Sequence, residues 1–403
     1  MRRARPSTGS RPPSRGAAVA DRPGGDGGAR GWERPRTVDG MTSSRPAAGR
    51  APVDLLVDWD LAARTAATLA GAGPQIPAAL AEQAVADLRR AASRATDHVQ
   101  EVSRLESEPG PGVLVVDRRG WAEANCAGFR GLLEPVVAEV ISRRSGRLPA
   151  APLAGVGSRL TGAEVGSLLG FLGSRVLGQY DPFSDPGRLL LVAPNVVSAE
   201  RELQVDPADF RLWVCLHEET HRVQFAANPW LAGHLREQIR GLVLDLLAEP
   251  GEFAVRLAGA VRGFPDLVRG TTEASTGSPL LDAVQTPRQR ERLAELTAVM
   301  SLLEGHADVV MDEVGPEVIP TVGAIRAAFI ARRAGRGALD RFLRRLLGLE
   351  AKMRQYADGA HFVREVQSRV GVDGFNAVWA AAGNLPRPVE IADPSAWVRR
   401  VHG

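Results

Sequence analysis

Cysteine is nearly absent from this chain of 403 residues: Cys126 and Cys215 are the only two. That excludes a disulfide framework and a thiolate zinc knuckle, and it fits a reducing, cytoplasmic setting best. Lysine is scarcer still, with Lys352 alone among 50 basic residues. So lopsided a use of arginine reads as codon bias, not as a nucleic-acid signature. Long apolar runs are missing too. Nothing approaches the roughly 18 consecutive apolar residues that a membrane helix needs, so no membrane span or membrane partner is expected. Residues 1–50 hold eleven arginines against four acidic residues, whereas the whole chain carries only +3. The remainder is therefore mildly acidic, about −4, and offers no basic face for a nucleic-acid partner.

Residues 1–52 are rich in Arg, Pro, Gly and Ser and contain almost no apolar run. Such a segment cannot bury enough surface to offset its ordering entropy, so a disordered leader is expected. Arg2 and Arg3 lack the apolar stretch that a secretory signal requires. Met41 offers an alternative start of translation, and a tether is the functional alternative for the leader. From Val53 onward helical periodicity dominates. It predicts helices over 58–70, 76–104, 121–143, 161–175, 208–227, 230–247, 250–262, 288–312, 316–334, 338–370 and 372–382. Two short apolar runs, Val113–Val116 and Leu189–Val192, follow turn residues and read as strands. Thr271–Pro287 is polar, punctuated by Gly and Pro, and reads as a loop. The expectation is one largely helical domain over 53–403, mainly α with a small β-sheet.

Within the 208–227 helix stands His217-Glu218-x-x-His221. At about 100° per residue the two imidazoles project within about 40° of each other, one turn apart. Two histidines so placed can bind one zinc ion. Glu218 lies about 80° from their mean direction, at the edge of the metal, and Glu219 about 180° away. Only Glu218 can serve as the general base, taking a proton from a zinc-activated water. Cys215 falls on the far side and reads as buried packing. The bland alternative is a pair of ordinary helix histidines.

A catalytic zinc usually takes three protein ligands and leaves one position open. The metzincin extension needs glycine and histidine where this chain has Gln224 and Ala227, so that class is ruled out. The third ligand is sought in Glu304-Gly305-His306-Ala307-Asp308. Glu304 and Asp308 share a face, which suits a ligand carboxylate with an aspartate one turn on that accepts the outer N–H of a bound imidazole. Taken alone they would read as a solvated acidic face. His306 lies about 200° round the helix from Glu304, so both cannot bind one ion; Glu304 is preferred, with His306 the alternative.

At these residues the chain resembles the zincin-like metallopeptidases of actinobacteria, some of which carry the label "coenzyme biosynthesis-associated". The matching landmarks are Asp58-Trp59-Asp60, Asn125-Cys126-Ala127-Gly128-Phe129, Gly178-Gln179-Tyr180-Asp181-Pro182-Phe183, Arg211-Leu212-Trp213-Val214, the His217–Phe225 segment, Pro229-Trp230-Leu231 and Glu304–Asp308. The resemblance runs from about residue 53 to near the C-terminus. It implies a zincin-like core in a largely helical protein, zinc at His217 and His221, and a base role for Glu218. It supplies no substrate.

Tyr180, His306, Tyr356 and His361 are candidates to stabilise a transition state opposite the metal, although each is more often a packing or surface residue. Gln224 points near the metal face and could touch substrate. His234 reads as packing, and His98 and His402 have no supporting context. Leu189–Val192 could be an edge to which a peptide adds, or equally a buried strand. The function expected is a hydrolase with one zinc ion, acting on a peptide or amide. A protein with a closed structural zinc site, serving as a scaffold for partners, is the alternative.

Overall fold

The computed structural model describes residues 51–108, 110–143, 151–248, 285–334 and 349–403, with the backbone alone described at 143, 151–157, 246–248, 332–334 and 349–357. The leader over 1–50, the helix expected over 250–262, the loop over 271–284 and the first part of the 338–370 helix lie outside the described residues. The elements are α1 (Trp59–Ala70), α2 (Ala78–Ser103), β1 (Leu114–Val116), α3 (Arg118–Arg143), α4 (Ala151–Gly173), β2 (Gly178–Asp181), β3 (Arg188–Val192) and α5 (Ala193–Leu203). They continue with α6 (Pro207–Ala227), α7 (Trp230–Ala248), α8 (Pro287–Val318), α9 (Val322–Ala334), α10 (Leu349–Phe375), α11 (Pro388–Ala392) and α12 (Pro394–His402). The fold is mainly helical with one small sheet. Among the described residues no helix is long and apolar enough to cross a membrane.

The sheet has the order β1-β3-β2. β3 runs parallel to β1, with Leu114 opposite Leu190, and antiparallel to β2, with Tyr180 opposite Leu189. Both faces are covered. Val115 and Leu191 join a large core with residues of α2, α6 and α8, while Val116, Leu190 and Val192 join a second core with Trp59, Trp121 and Leu169. A strand buried on both faces is apolar throughout instead of alternating. This settles the two readings of Leu189–Val192: it is the central, buried strand. The edge beside the site is β2, which periodicity did not predict.

Helix α6 threads the middle of the larger core. Asp206 starts it, accepting from the backbone N–H groups of Ala208 and Asp209 at 2.9 Å each, with Pro207 in the first turn. These groups satisfy the orphan donors of a helix N-terminus. Helix α8 starts with a capping box between Thr286 and Gln289, which fixes its first turn. The segment expected as one helix over 316–334 is divided: Gly315 takes φ 66°, α8 ends at Val318, and α9 begins at Val322. Asp209, in the first turn of α6, accepts from Thr321 N at 3.0 Å and from its hydroxyl at 2.6 Å, anchoring that break.

Helices α8 and α10 cross almost backbone to backbone. A Cβ at Gly305 would lie 2.1 Å from Gly359 C, and one at Gly359 would lie 1.9 Å from Ser301 O. Only glycine permits that approach, and it occurs beside Glu304.

Candidate metal centre

Between Leu212 and Phe225, α6 is buried at every position except Trp213, His217 and His221. These three are four residues apart and so form one stripe of the helix. The rest of the helix is held by core packing, which leaves this stripe to face a cavity of about 1320 Å³. Across the cavity α8 presents Glu304. Its Oε2 lies 3.4 Å from His217 Nε2 and 3.6 Å from His221 Nε2. Ligand atoms of all three residues fall within 4.8 Å of one another, the one such grouping among the described residues. Donors held about 2.0–2.1 Å from a tetrahedral ion sit about 3.3–3.4 Å apart, so two imidazoles and a carboxylate with this spacing fit a zinc-sized cation.

The electrostatics fit the same conclusion. Burial opposes a charge on His217, but the hydrogen bond and charge of Glu304, with Glu218 and Asp308 nearby, outweigh it and push His217 up to about 9. Burial acts to raise Glu304 as well, yet its two imidazole partners hold its carboxyl well below the ordinary range. The cluster thus keeps a compensating positive charge, here a proton, in the place where a metal would supply one.

Glu218 is buried and lines the cavity beside the two histidines. Burial raises its pKa, and the neighbouring imidazoles pull the other way. Its packing partner is β2: a Cβ at Gly178 would come within 2.6 Å of Glu218 Cγ. The glycine therefore makes room for the carboxylate against the sheet edge. Glu219 faces away, as the helical arithmetic requires, and pairs with Arg222 at 2.5 Å. Cys215 is fully buried against Leu88 O.

The outer face of His221 is held by a chain of hydrogen bonds. His221 Nδ1 lies 3.0 Å from Gln224 Oε1. Gln224 Nε2 donates to Leu303 O at 2.9 Å and lies 3.0 Å from His306 Nδ1. Leu303 O can only accept, so the amide nitrogen must face it and Oε1 must face His221. His221 Nδ1 then donates to Gln224 Oε1, which leaves Nε2 as the nitrogen that faces Glu304. Gln224 thus supports His221 and does not line the cavity, where a substrate contact was anticipated for it.

His306 requires a correction. Neither a metal ligand nor a transition-state stabiliser, it is fully buried, packs on the rings of Phe375 and Trp379 at 5.3 and 5.5 Å, and does not line the cavity. The reason is helical phase: with Glu304 directed at the cavity, residue 306 must point into the core. Burial, with the charge of His221, lowers its pKa to about 3, so it stays neutral. Asp308 does line the cavity, with His217 as its strongest favourable neighbour against a burial that raises its pKa. The structure has no hydrogen bond from an imidazole to Asp308; the acceptor it was expected to supply is supplied at His221 by Gln224. Tyr180 also lines the cavity, but its ring packs on Phe225 at 5.6 Å and its hydroxyl abuts Gly187 at the turn before β3. His361 is exposed on α10, His234 packs on Trp230 at 5.9 Å, and the side chain of Tyr356 lies outside the described residues.

A crystal structure of a candidate hydrolase with a novel fold from Chloroflexus aurantiacus is similar at a TM-score of 0.60 and 30% identity, covering 86% of this chain and 99% of that one. Comparison with curated proteins gives no match. The sequence profile of the zincin-like metallopeptidases matches residues 57–398. With that match spanning His217, His221 and Glu304, the chain belongs to the zincin-like metallopeptidase family.

Proposed function

We propose that this protein is a zinc-dependent hydrolase of peptide or amide bonds, with His217, His221 and Glu304 as metal ligands and Glu218 as general base. The observation that carries the reading is the convergence of two imidazoles and one carboxylate, 3.4 and 3.6 Å apart, on the wall of an open cavity. Zinc is the first choice for a site of two imidazoles and one carboxylate. A bound zinc ion would supply Lewis acidity and acidify a water at neutral pH. The chain's residues do the rest. Glu218, buried beside the imidazoles, takes the proton of the attacking water and returns it to the leaving amine. Its raised pKa suits both halves of that transfer. Among the described residues β2, Gly178–Asp181, is an edge of the sheet, and it lines the cavity next to Glu218, where an extended substrate can add as a further strand.

A closed structural site would need a fourth protein ligand. Among the described residues the grouping stops at three donors, and His306 and His361, the residues considered for that place, point into the core and into solvent. The test is metal content with turnover. Wild-type protein should hold about one equivalent of zinc and His217→Ala should lose it. Glu218→Gln should keep the metal while turnover of a peptide or amide falls by about 10²–10⁴. Less than about half an equivalent of zinc in the wild type, unchanged in His217→Ala, rejects the reading.

A further inference from the structure

The floor of the cavity is one winding face of α8. Leu296, Met300, Glu304, Asp308 and Asp312 all line it, each four residues from the next. At about 1.5 Å per residue, Leu296 and Asp312 lie about 12 Å to either side of Glu304 along the helix axis. The two ends differ in chemistry. One end carries Leu296 and Met300, and apolar side chains of α3 and α7 (Phe129, Leu133, Leu235 and Ile239) also line the cavity. Around Asp312 stand two arginines from different helices, Arg326 of α9 and Arg364 of α10, both ion-paired with that one carboxylate. Asp308, a turn earlier, faces His217. Arg326 also acts on Asp308, so the two guanidiniums stand among two carboxylates, and their remaining N–H groups point to where an acceptor could bind. One of them, Arg326 Nε, is buried with no hydrogen-bond partner, a state that costs free energy unless an acceptor arrives.

We propose that Arg326 and Arg364 form a subsite for an anionic group of the substrate, a carboxylate of an acidic side chain or of a peptide C-terminus. The apolar part of the same peptide lies across the metal triad, over Met300 and Leu296. An extended peptide advances about 3.3 Å per residue, so the carboxylate sits three to four residues from the scissile bond. This inference rests on the hydrolase reading above and names its substrate class.

The test uses peptides with an apolar half and one glutamate three or four residues beyond the centre, in both sequence orders. Matched peptides carry glutamine instead, each with a free or an amidated C-terminus. Binding is read by fluorescence anisotropy on zinc-loaded Glu218→Gln protein, and cleavage on the wild type. The carboxylate should strengthen binding by about tenfold, as expected of hydrogen bonds to a charged group. That advantage should shrink in high salt and vanish in Arg326→Gln and Arg364→Gln. The free-against-amidated comparison tells which carboxylate is read. Arg364 is half exposed, so its substitution disturbs the fold least, and Arg364→Lys should recover part of the preference. Equal binding of acidic and neutral peptides, or a preference that survives both substitutions, overturns the subsite. An arginine-dependent binding preference without cleavage of any peptide upholds the subsite and rejects the peptidase reading. Cleavage without preference does the reverse.

Discussion

Gln224 controls which nitrogen of His221 faces the metal position, and its substitution should separate metal affinity from stability. The amide is fully buried and uses both N–H groups, on Leu303 O and His306 Nδ1, while Oε1 faces His221 Nδ1. Gln224→Leu keeps the approximate volume and removes all three contacts. His221 then loses the partner that fixes its tautomer and ring angle, which in comparable sites weakens metal binding by about 10–100-fold, or about 1.4–2.7 kcal/mol. Leu303 O and His306 Nδ1 lose their donor in a dry core, so the fold should lose about 1–3 kcal/mol as well. Gln224→Glu behaves differently. Its carboxylate still accepts from His221 and makes that imidazole a better donor to the metal, so affinity holds or rises. It cannot donate to Leu303 O, so the stability loss of about 1–3 kcal/mol remains. The assay is competition with a fluorescent chelator at fixed pH, alongside urea unfolding of the metal-free proteins. A folded Gln224→Leu protein within about twofold of wild-type zinc affinity would refute the reasoning, because a mere packing residue would give that result.

Four further outcomes follow from the same geometry. His217 is raised from its ordinary value to about 9 in the metal-free protein, so its pairing with Glu304 stabilises fully below about pH 6.5 and is lost as pH rises through about 9. Thermal unfolding of metal-free protein from pH 6 to 10 should show that decline, and His217→Asn should flatten it. By the same linkage, zinc uptake should release about one proton at pH 7 and almost none at pH 10, read by calorimetry in buffers of different ionisation enthalpy. Gly178→Ala drives a Cβ to 2.6 Å from Glu218 Cγ. A displacement of about 1 Å can cost about 10² in turnover, with zinc content unchanged, and steady-state rates beside metal analysis check both. Gly305→Ala meets backbone of α10 at 2.1 Å, which cannot rotate away. It should destabilise by about 1–3 kcal/mol or more and loosen Glu304, lowering the urea midpoint and the zinc affinity together.

What could be read from the residues in order is what helical turns decide. Asp206-Pro207 caps α6, and the four-residue step from His217 to His221 is the same in any α-helix, so that half of the centre follows from local geometry. Residue type and phase made Glu304 the preferred candidate over His306, and the structure brings it beside His217 and His221. β2 was missed because Gly178, Gln179, Tyr180 and Asp181 carry no apolar alternation; β3 makes them a strand by pairing with them. α5 was missed because it starts at the residue after β3 and ends on Gln204 in the left-handed region, without the glycine that signals such a cap. The role of Gln224 depends on a carbonyl and an imidazole about eighty residues away, and the arginine pair at Asp312 joins three helices. No local pattern encodes either. The two-histidine half of the candidate metal centre is thus specified within one helical turn. The proton on His221, the room for Glu218 against Gly178 and the charge at the far end of the cavity are specified by contacts between elements. Replacing His217 or His221 should therefore abolish metal binding outright, whereas substitutions at β2, α9 and α10 should retune turnover or substrate preference in a protein that still holds its metal.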